Sequence, residues 1–294
     1  MSCPDCFRGG IHNHKGDAKG QEEQLHGFRT YVTNPSSQSG SKSTIIFLCD
    51  AFGLDLINNK ILADRYAEGT GFRVLVPDVI PGGPASIGLM DPMDQAFDPV
   101  RWWDVWGQLK RAMNIFTMVR ILGLFYIRAI PSRASTYNPI LEWARTVKRD
   151  LPSDAKLGVC GFCWGGYPST RLCTEPSVAG GDVRLIDAQF CAHPSALEVP
   201  GMIVDAVTKF NVPYSAALGT KDFVLTPKQA EETEAVLRQK AGNGEGQNGY
   251  NYELKSHEGC QHGFAVRARP GDTVQEKGAD DACEQAVAWF KKWL

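Results

Sequence analysis

Residues 156–166 read Lys-Leu-Gly-Val-Cys-Gly-Phe-Cys-Trp-Gly-Gly. A short apolar run enters a G-x-C-x-G at Gly161 to Gly165, and a helical pattern follows. That order, strand then tight turn then helix, is the nucleophile elbow. A residue held there occupies a strained turn, so its flanks must be small, and Gly161 and Gly165 leave that room. The helix that follows aims its N-terminus at the Cys163 thiol, which favours thiolate and any oxyanion beside it. An elbow also presupposes a sheet with its carboxyl ends facing one crevice, so this segment constrains the whole chain.

The rest of the sequence has the matching rhythm. Strand-like runs fall at Gly27–Thr33, Thr44–Cys49, Arg73–Pro77, Lys156–Cys160, Leu185–Cys191, Tyr214–Leu218 and Tyr250–Lys255. Helical patterns cover Leu56–Glu68, Tyr137–Asp150, Gly165–Glu175, Pro227–Lys240 and Asp280–Leu294. In the last, Cys283, Val287, Phe290 and Leu294 recur at helical spacing and predict a buried face. Alternation of this kind predicts an α/β fold, a mostly parallel central sheet with helices on both faces. With 294 residues the chain can bury about 75% of its unfolded surface. Residues 1–26 read as an N-terminal extension and 27–294 as the main domain. Within it, residues 79–139 are too long for a simple connection and predict a helical insertion, a lid or substrate wall. The glycine-rich stretch at 241–249 reads as a mobile loop.

An elbow nucleophile needs a base and an acid to orient it, in the chain order nucleophile, acid, histidine. Two strands after Cys163, the run Ala217-Leu218-Gly219-Thr220-Lys221-Asp222 ends in a turn presenting Asp222. One strand later a loop carries His262-Gly263-Phe264. Taken singly, Asp222 reads as a turn or cap aspartate and His262 as a surface histidine; their joint placement raises both. His257 lies nearer the strand end, and His193 follows Leu185–Cys191. The longer loop of His262 lets its ring fold back toward Cys163, whereas His193 reads as structural or cleft-lining.

Together, Gly-Phe-Cys-Trp-Gly-Gly, the Gly219–Asp222 turn and His262-Gly263-Phe264 resemble the dienelactone hydrolase family. The opening MSCPDCFRG and the HGFAVR stretch are similar to its fungal-type branch. The resemblance runs from Thr44 to the C-terminus. It implies an α/β-hydrolase fold and a triad of Cys163, His262 and Asp222, hydrolysing lactones or activated esters through a thioester. Cys163 would attack, His262 would move the proton, and Asp222 would orient the ring. The oxyanion would lie between the backbone N–H groups of Trp164 and Ala51. Family members also place a glutamate after the early strand, against the nucleophile. Here that position is Asp50, one methylene shorter, which would hold Cys163 as a thiol until substrate displaces it. The plainer role for Asp50 is a helix cap. The arginines that bind a substrate carboxylate in the family map onto Arg267 and Arg101, with Trp103 and Phe264 as further substrate contacts. The insertion departs from the shorter bacterial form and implies a larger aromatic or polyketide-like lactone, a secondary metabolite.

Other chemistries find less support. A net charge of −2 and a pI near 6.3 give no basic footprint for nucleic acid. No run of 18 apolar residues appears; the greasiest segment, 115–130, is broken by Arg120 and Arg128 and reads as a buried helix, a lid or a dimer contact. The nine cysteines are scattered, and no export signal precedes them, so the expectation is reduced thiols in the cytoplasm. Cys49, Cys160 and Cys283 read as small buried hydrophobes. The Cys3-x-x-Cys6 and His12-x-His14 pair has zinc-ligand residue types at a spacing too short for a usual finger, so neither metal nor cofactor is expected. The partner expected is a small-molecule lactone or ester, with no nucleic acid or membrane, acting on a monomer or homodimer. A thioesterase or acyl-transfer catalyst on the same triad, or a binding protein that has lost turnover, are the alternatives.

Overall fold

The computed structural model describes residues 17–36, 42–90, 92, 95 and 100–294. Among these residues, one eight-stranded sheet has the spatial order β1 (Gln21–Leu25), β2 (Phe28–Thr33), β4 (Arg73–Pro77), β3 (Thr44–Leu48), β5 (Leu157–Phe162), β6 (Ala188–Ala192), β7 (Tyr214–Gly219) and β8 (Tyr252–His257). From β4 to β8 every pairing is parallel, and β2 runs antiparallel to both β1 and β4. Residues of β3, β5, β6 and β7 are buried along their whole length, as covering both faces of a parallel sheet requires. β1 is exposed and polar, Gln-Glu-Glu-Gln-Leu, which suits an edge strand that must not recruit another. It lies inside the segment read as an extension. His26 and Gly27 join it to β2 with φ of 49° and 89°, the positive pair that a two-residue I′ hairpin turn demands.

Helices among the described residues include α1 (Ile57–Thr70), α2 (Val105–Arg128), α3 (Ala134–Asp150), α4 (Gly166–Leu172), α5 (Gly201–Thr208), α6 (Pro227–Ala241), α7 (Phe264–Arg267) and α8 (Thr273–Trp293). α1 packs on α8 over one face of the sheet. Between them and the strands lies an aromatic core: Phe47 stacks on Phe162 at 4.6 Å, and Tyr66 touches both rings and Phe290. The insertion supplies α2, which buries only Met118 and Phe125 of its own residues. Its C-terminal end is tied to the elbow, because Trp164 Nε1 donates to the Ala129 carbonyl at 2.6 Å.

Two boundaries differ from the sequence reading for identifiable reasons. The sixth strand starts at Ala188, not Leu185: Leu185 N–H donates to Glu175, and Asp187 turns its carboxylate onto Leu157 N–H. The last helix starts at Thr273, seven residues earlier than Asp280, because Asp272 caps it by accepting from Val274 and Gln275. Its first turns are polar, so the hydrophobic period does not reveal them. Likewise the 241–249 loop is folded back on the sheet, with the Tyr252 hydroxyl donating to Gly242 at 2.6 Å.

Register decides what the crevice contains. Leu48 sits opposite Gly161, Phe162 opposite Ala192, Ala192 opposite Ala217, and Gly219 opposite His257. The loops bearing Asp50, Cys163, His193, Asp222 and His262 therefore leave one edge of the sheet. Strand order reverses between β3 and β5, the place where open α/β sheets leave a crevice for ligands. A Cβ at Gly161 would run into the Gly165 carbonyl and Ser169 Oγ. Gly161→Ala should thus cost about 3 kcal/mol or more of stability, read from the urea midpoint, or abolish soluble protein altogether.

Candidate active site

Cys163 has a φ of 47°, a left-handed backbone that costs a non-glycine residue energy and persists only where its surroundings fix it. They do so on both sides. Gly165 N–H donates to the Cys49 carbonyl at 3.1 Å, binding the elbow to the β3 loop, and Ser195 N–H donates to the Cys163 carbonyl at 2.9 Å. The thiol is 7% exposed, with Ser195 Oγ 3.9 Å from Sγ.

His262 is brought to it by a loop pinned at several points. Gly259 N–H donates to Thr220 Oγ1, Lys221 N–H to the Cys260 carbonyl, and Gln261 N–H to Gln275 Oε1. The ring's Nδ1 lies 3.1 and 3.0 Å from the two oxygens of Asp222. Asp222 is itself fixed, since its Oδ1 accepts from Val224 N–H at 2.8 Å. With Nδ1 on the carboxylate, Nε2 is left for the sulfur.

Electrostatics shift the two groups toward each other's charge. Burial alone pushes the Cys163 thiol up, but the His262 imidazolium, its hydrogen bond and Arg267 push harder the other way. Asp50 opposes them, and the net shift is downward. For His262, burial favours the neutral ring, yet the Cys163 thiolate and Asp222 raise it to about 10.

Asp50 is fully buried and engaged: Oδ1 accepts from Phe52 N–H and the Asn59 amide, and Oδ2 faces Arg267 Nε at 3.0 Å. It does not cap α1, whose N-cap is Leu56. Arg267, 7% exposed, lies with its guanidinium 5.2 Å from the Phe52 ring centre. Ala51 and Trp164 each lie three residues beyond the last paired residues of β3 and β5, Leu48 and Gly161. Phe264 is buried behind the site, 5.6 Å from the His193 ring, and His193 lies 5.2 Å from the His262 ring. Burial first, then the charges of His262 and Arg267, hold His193 well below the ordinary histidine range. His257 belongs elsewhere, paired with Gln285 at 3.1 Å.

The structure does not bring Arg101 and Trp103 to this cluster. They stack on each other, exposed, before the N-terminus of α2. The other end of that helix reaches the thiol, about 30 Å away at 1.5 Å per residue. What arrives there is Tyr126, pushed up to about 12, first by the charge on Cys163 and then by burial, with Arg267 opposing. Neither Tyr126 nor Asn59 stands out in the sequence. Tyr126 is one aromatic in an apolar helix, and Asn59 is a surface-type residue that only the Asp50 geometry singles out. Cavities of about 630 and 570 Å³ flank Asp64 and Glu68 and are not lined by Cys163, Asp222 or His262. Among the described residues no cluster of three metal-ligating side chains occurs; Cys3, Cys6, His12 and His14 lie outside them.

A mostly parallel sheet, an elbow at its switch point, and an acid and histidine on later strand ends define an α/β hydrolase. The chain belongs to the dienelactone hydrolase family, whose model matches residues 28–294. It is a hydrolase of that family. It is 25% identical over 289 residues to the Hydrolase pyvD of Aspergillus violaceofuscus, covering 98% of this chain and 96% of the relative. To Dienlactone hydrolase 2 of Gibberella moniliformis it is 25% identical over 292 residues, covering 98% and 94%. Among solved structures, a Klebsiella pneumoniae protein assigned to the dienelactone hydrolases superposes with a TM-score of 0.60 at 17% identity, covering 94% of this chain and 99% of that one.

A lowered thiol pKa and a raised imidazole pKa mean that Cys163 ionises below its ordinary range and keeps a cationic partner up to about pH 10. Iodoacetamide should therefore alkylate Cys163 readily at about pH 7, where an ordinary thiol is largely protonated. In His262→Ala burial is left to dominate, and the alkylation rate at that pH should fall about 10-fold or more. Peptide mass spectrometry assigns the site.

Proposed function

We propose that Cys163 is the nucleophile of a Cys163–His262–Asp222 triad that hydrolyses lactones or related activated esters through a thioester. One observation carries the reading. All seven cysteines among the described residues are buried, and burial drives six of them up: Cys49, Cys160, Cys173, Cys191, Cys260 and Cys283. Cys163 alone is shifted down, by the histidine that rests on Asp222.

The steps follow from the groups present. The Cys163 thiolate adds to the acyl carbon, and the oxyanion forms where the Trp164 and Ala51 N–H groups can meet it. As the C–O bond breaks, His262 gives its proton to the leaving alkoxide. In a lactone that alkoxide stays tethered to the acyl group. Neutral His262 then takes a proton from water, hydroxide attacks the thioester carbon, and the thiolate departs. Asp222 keeps the ring in one tautomer and offsets its charge throughout. Asp50 adds negative potential at the sulfur, so it lessens the downward shift of Cys163 without reversing it.

Arg267 is the group that would recognise an anionic substituent on the substrate. Its Nε faces Asp50 as an ion pair at 3.0 Å, and its planar fork has further N–H groups for a carboxylate. A larger, aromatic or polyketide-like lactone remains the substrate class that the long insertion favours.

Cys163→Ala should lower kcat for a chromogenic ester by about 10³-fold or more, whereas Cys49→Ala and Cys283→Ala should keep activity as long as they fold. Near wild-type turnover by Cys163→Ala would refute the triad. Arg267→Lys retains the charge opposite Asp50 but loses the fork. It should raise KM for carboxylate-bearing lactones about 10-fold and leave KM for neutral esters within about 2-fold. Equal effects on both would remove Arg267 from substrate recognition.

A further inference from the structure

We propose that the outward face of α2 is a self-association surface, and that its partner is the α2 of a second copy of this chain. The inference is independent of the chemistry assigned to Cys163.

α2 is 24 residues long, about 36 Å, yet Met118 and Phe125 are its only buried side chains. A helix draws most of its stability from packing an apolar face, and here the larger apolar face points away from the protein. Phe116 is 70% exposed, Ile127 65%, and Trp102 and Trp106 just before and within the helix about 80%. Aromatic side chains carry about 150–250 Å² each, so Trp102, Trp103, Trp106 and Phe116 alone present on the order of 500 Å², near the largest patch usual on a monomer. The exposed aliphatic residues of α2 bring the face toward the ~800 Å² per partner that a standard interface uses.

The pattern on that face fits another helix. Leu109, Met113, Phe116, Arg120, Gly123 and Ile127 recur at alternating intervals of four and three, the seam of a paired helix. Large and small residues also alternate on it. Ala112 is small, and a Cβ at Gly123 would find nothing within 4 Å. An antiparallel pairing about a two-fold axis at Phe116 fills these gaps. Leu109 then opposes Gly123 of the second copy, Arg120 opposes Ala112, and Phe116 meets its counterpart. Arg120 can lay its stem across Ala112 and keep its guanidinium in water. The same register sets Asp104 opposite Arg128 of the second copy, an opposite-charge contact at each end. A two-fold pair uses one surface twice and closes, which is the commonest route to an oligomer.

The rival occupant is an anionic bilayer, since residues 105–141 hold five Arg and Lys and no Asp or Glu. A lipid surface makes no use of the alternating gaps, so the helix partner is preferred.

Sedimentation equilibrium of the whole chain at micromolar concentration should give twice the 32.3 kDa chain mass. Phe116→Glu, at an exposed site, should leave the circular dichroism spectrum and esterase activity unchanged and raise the dimer dissociation constant about 100-fold or more. Phe116→Cys should form a disulfide-linked dimer under mild oxidation. Gly123→Cys should not, because its sulfur would lie about 20 Å from its counterpart. A monomer at about 50 µM would overturn the proposal, as would a dimer indifferent to Phe116→Glu or cross-linking at Gly123→Cys but not at Phe116→Cys. Flotation of the monomeric chain with phosphatidylserine vesicles would overturn it in favour of the bilayer.

Discussion

The close approach of β3 and β5 at their carboxyl ends is the constraint on which the site depends. Gly165 can donate to the Cys49 carbonyl only because no side chain intervenes, and a Cβ there would strike the Leu48 carbonyl. That contact forces the chain to turn back at once after β5, and the turn imposes the left-handed backbone of Cys163. The cost of the strained residue falls on the local backbone and is met by the sheet beneath, which is fully buried along β3, β5 and β6.

A second constraint is electrical. Asp50 and Arg267 are both removed from water, and such a pair is tolerable only if the remaining polar atoms find partners. Asp50 meets this at one oxygen only: Oδ1 accepts from Phe52 and Asn59, whereas Oδ2 faces Arg267 Nε as an ion pair at 3.0 Å, and among the described residues neither of those two atoms has a hydrogen-bond partner. Placed beside the sulfur, the two charges act in opposite directions, Arg267 lowering the Cys163 pKa and Asp50 raising it. The His262 imidazolium and its hydrogen bond outrank both of them in lowering the Cys163 pKa.

Much of this was legible in the sequence, for physical reasons. Buried parallel strands are apolar throughout, and an elbow needs its two glycines, so the fold and the places of Cys163, Asp222 and His262 follow from pattern and chain order. Loop length also separated His262 from His257, and the structure puts His257 on Gln285. Polar or locally capped segments stayed hidden. β1 has no apolar alternation because it is a solvated edge, and the first turns of α8 are announced only by the Asp272 cap. Contacts between distant segments were hidden too. Asn59 and Tyr126 acquire meaning only when α1 and α2 are folded against the crevice. Arg101 and Trp103 looked eligible because a sequence gives no length scale across the insertion, whereas a helix of about 36 Å carries them away.

The cysteines show why composition alone cannot identify a reactive residue. Accessibility does not separate them: Cys163 is 7% exposed, Cys49 and Cys283 are 4%, and Cys260 is 1%. Desolvation acts on every one of them and, unopposed, would leave them all as thiols at neutral pH. Cys160 lies only three residues from Cys163 on the same strand–turn segment, yet burial, and next the neighbouring Cys191, drive it well up. What distinguishes Cys163 is a cationic ring within hydrogen-bonding reach, held there by a carboxylate that is itself fixed to Val224. The lowered pKa of one thiol among several is thus a property of the three loops that converge on it, and those loops converge because β5, β7 and β8 end in register.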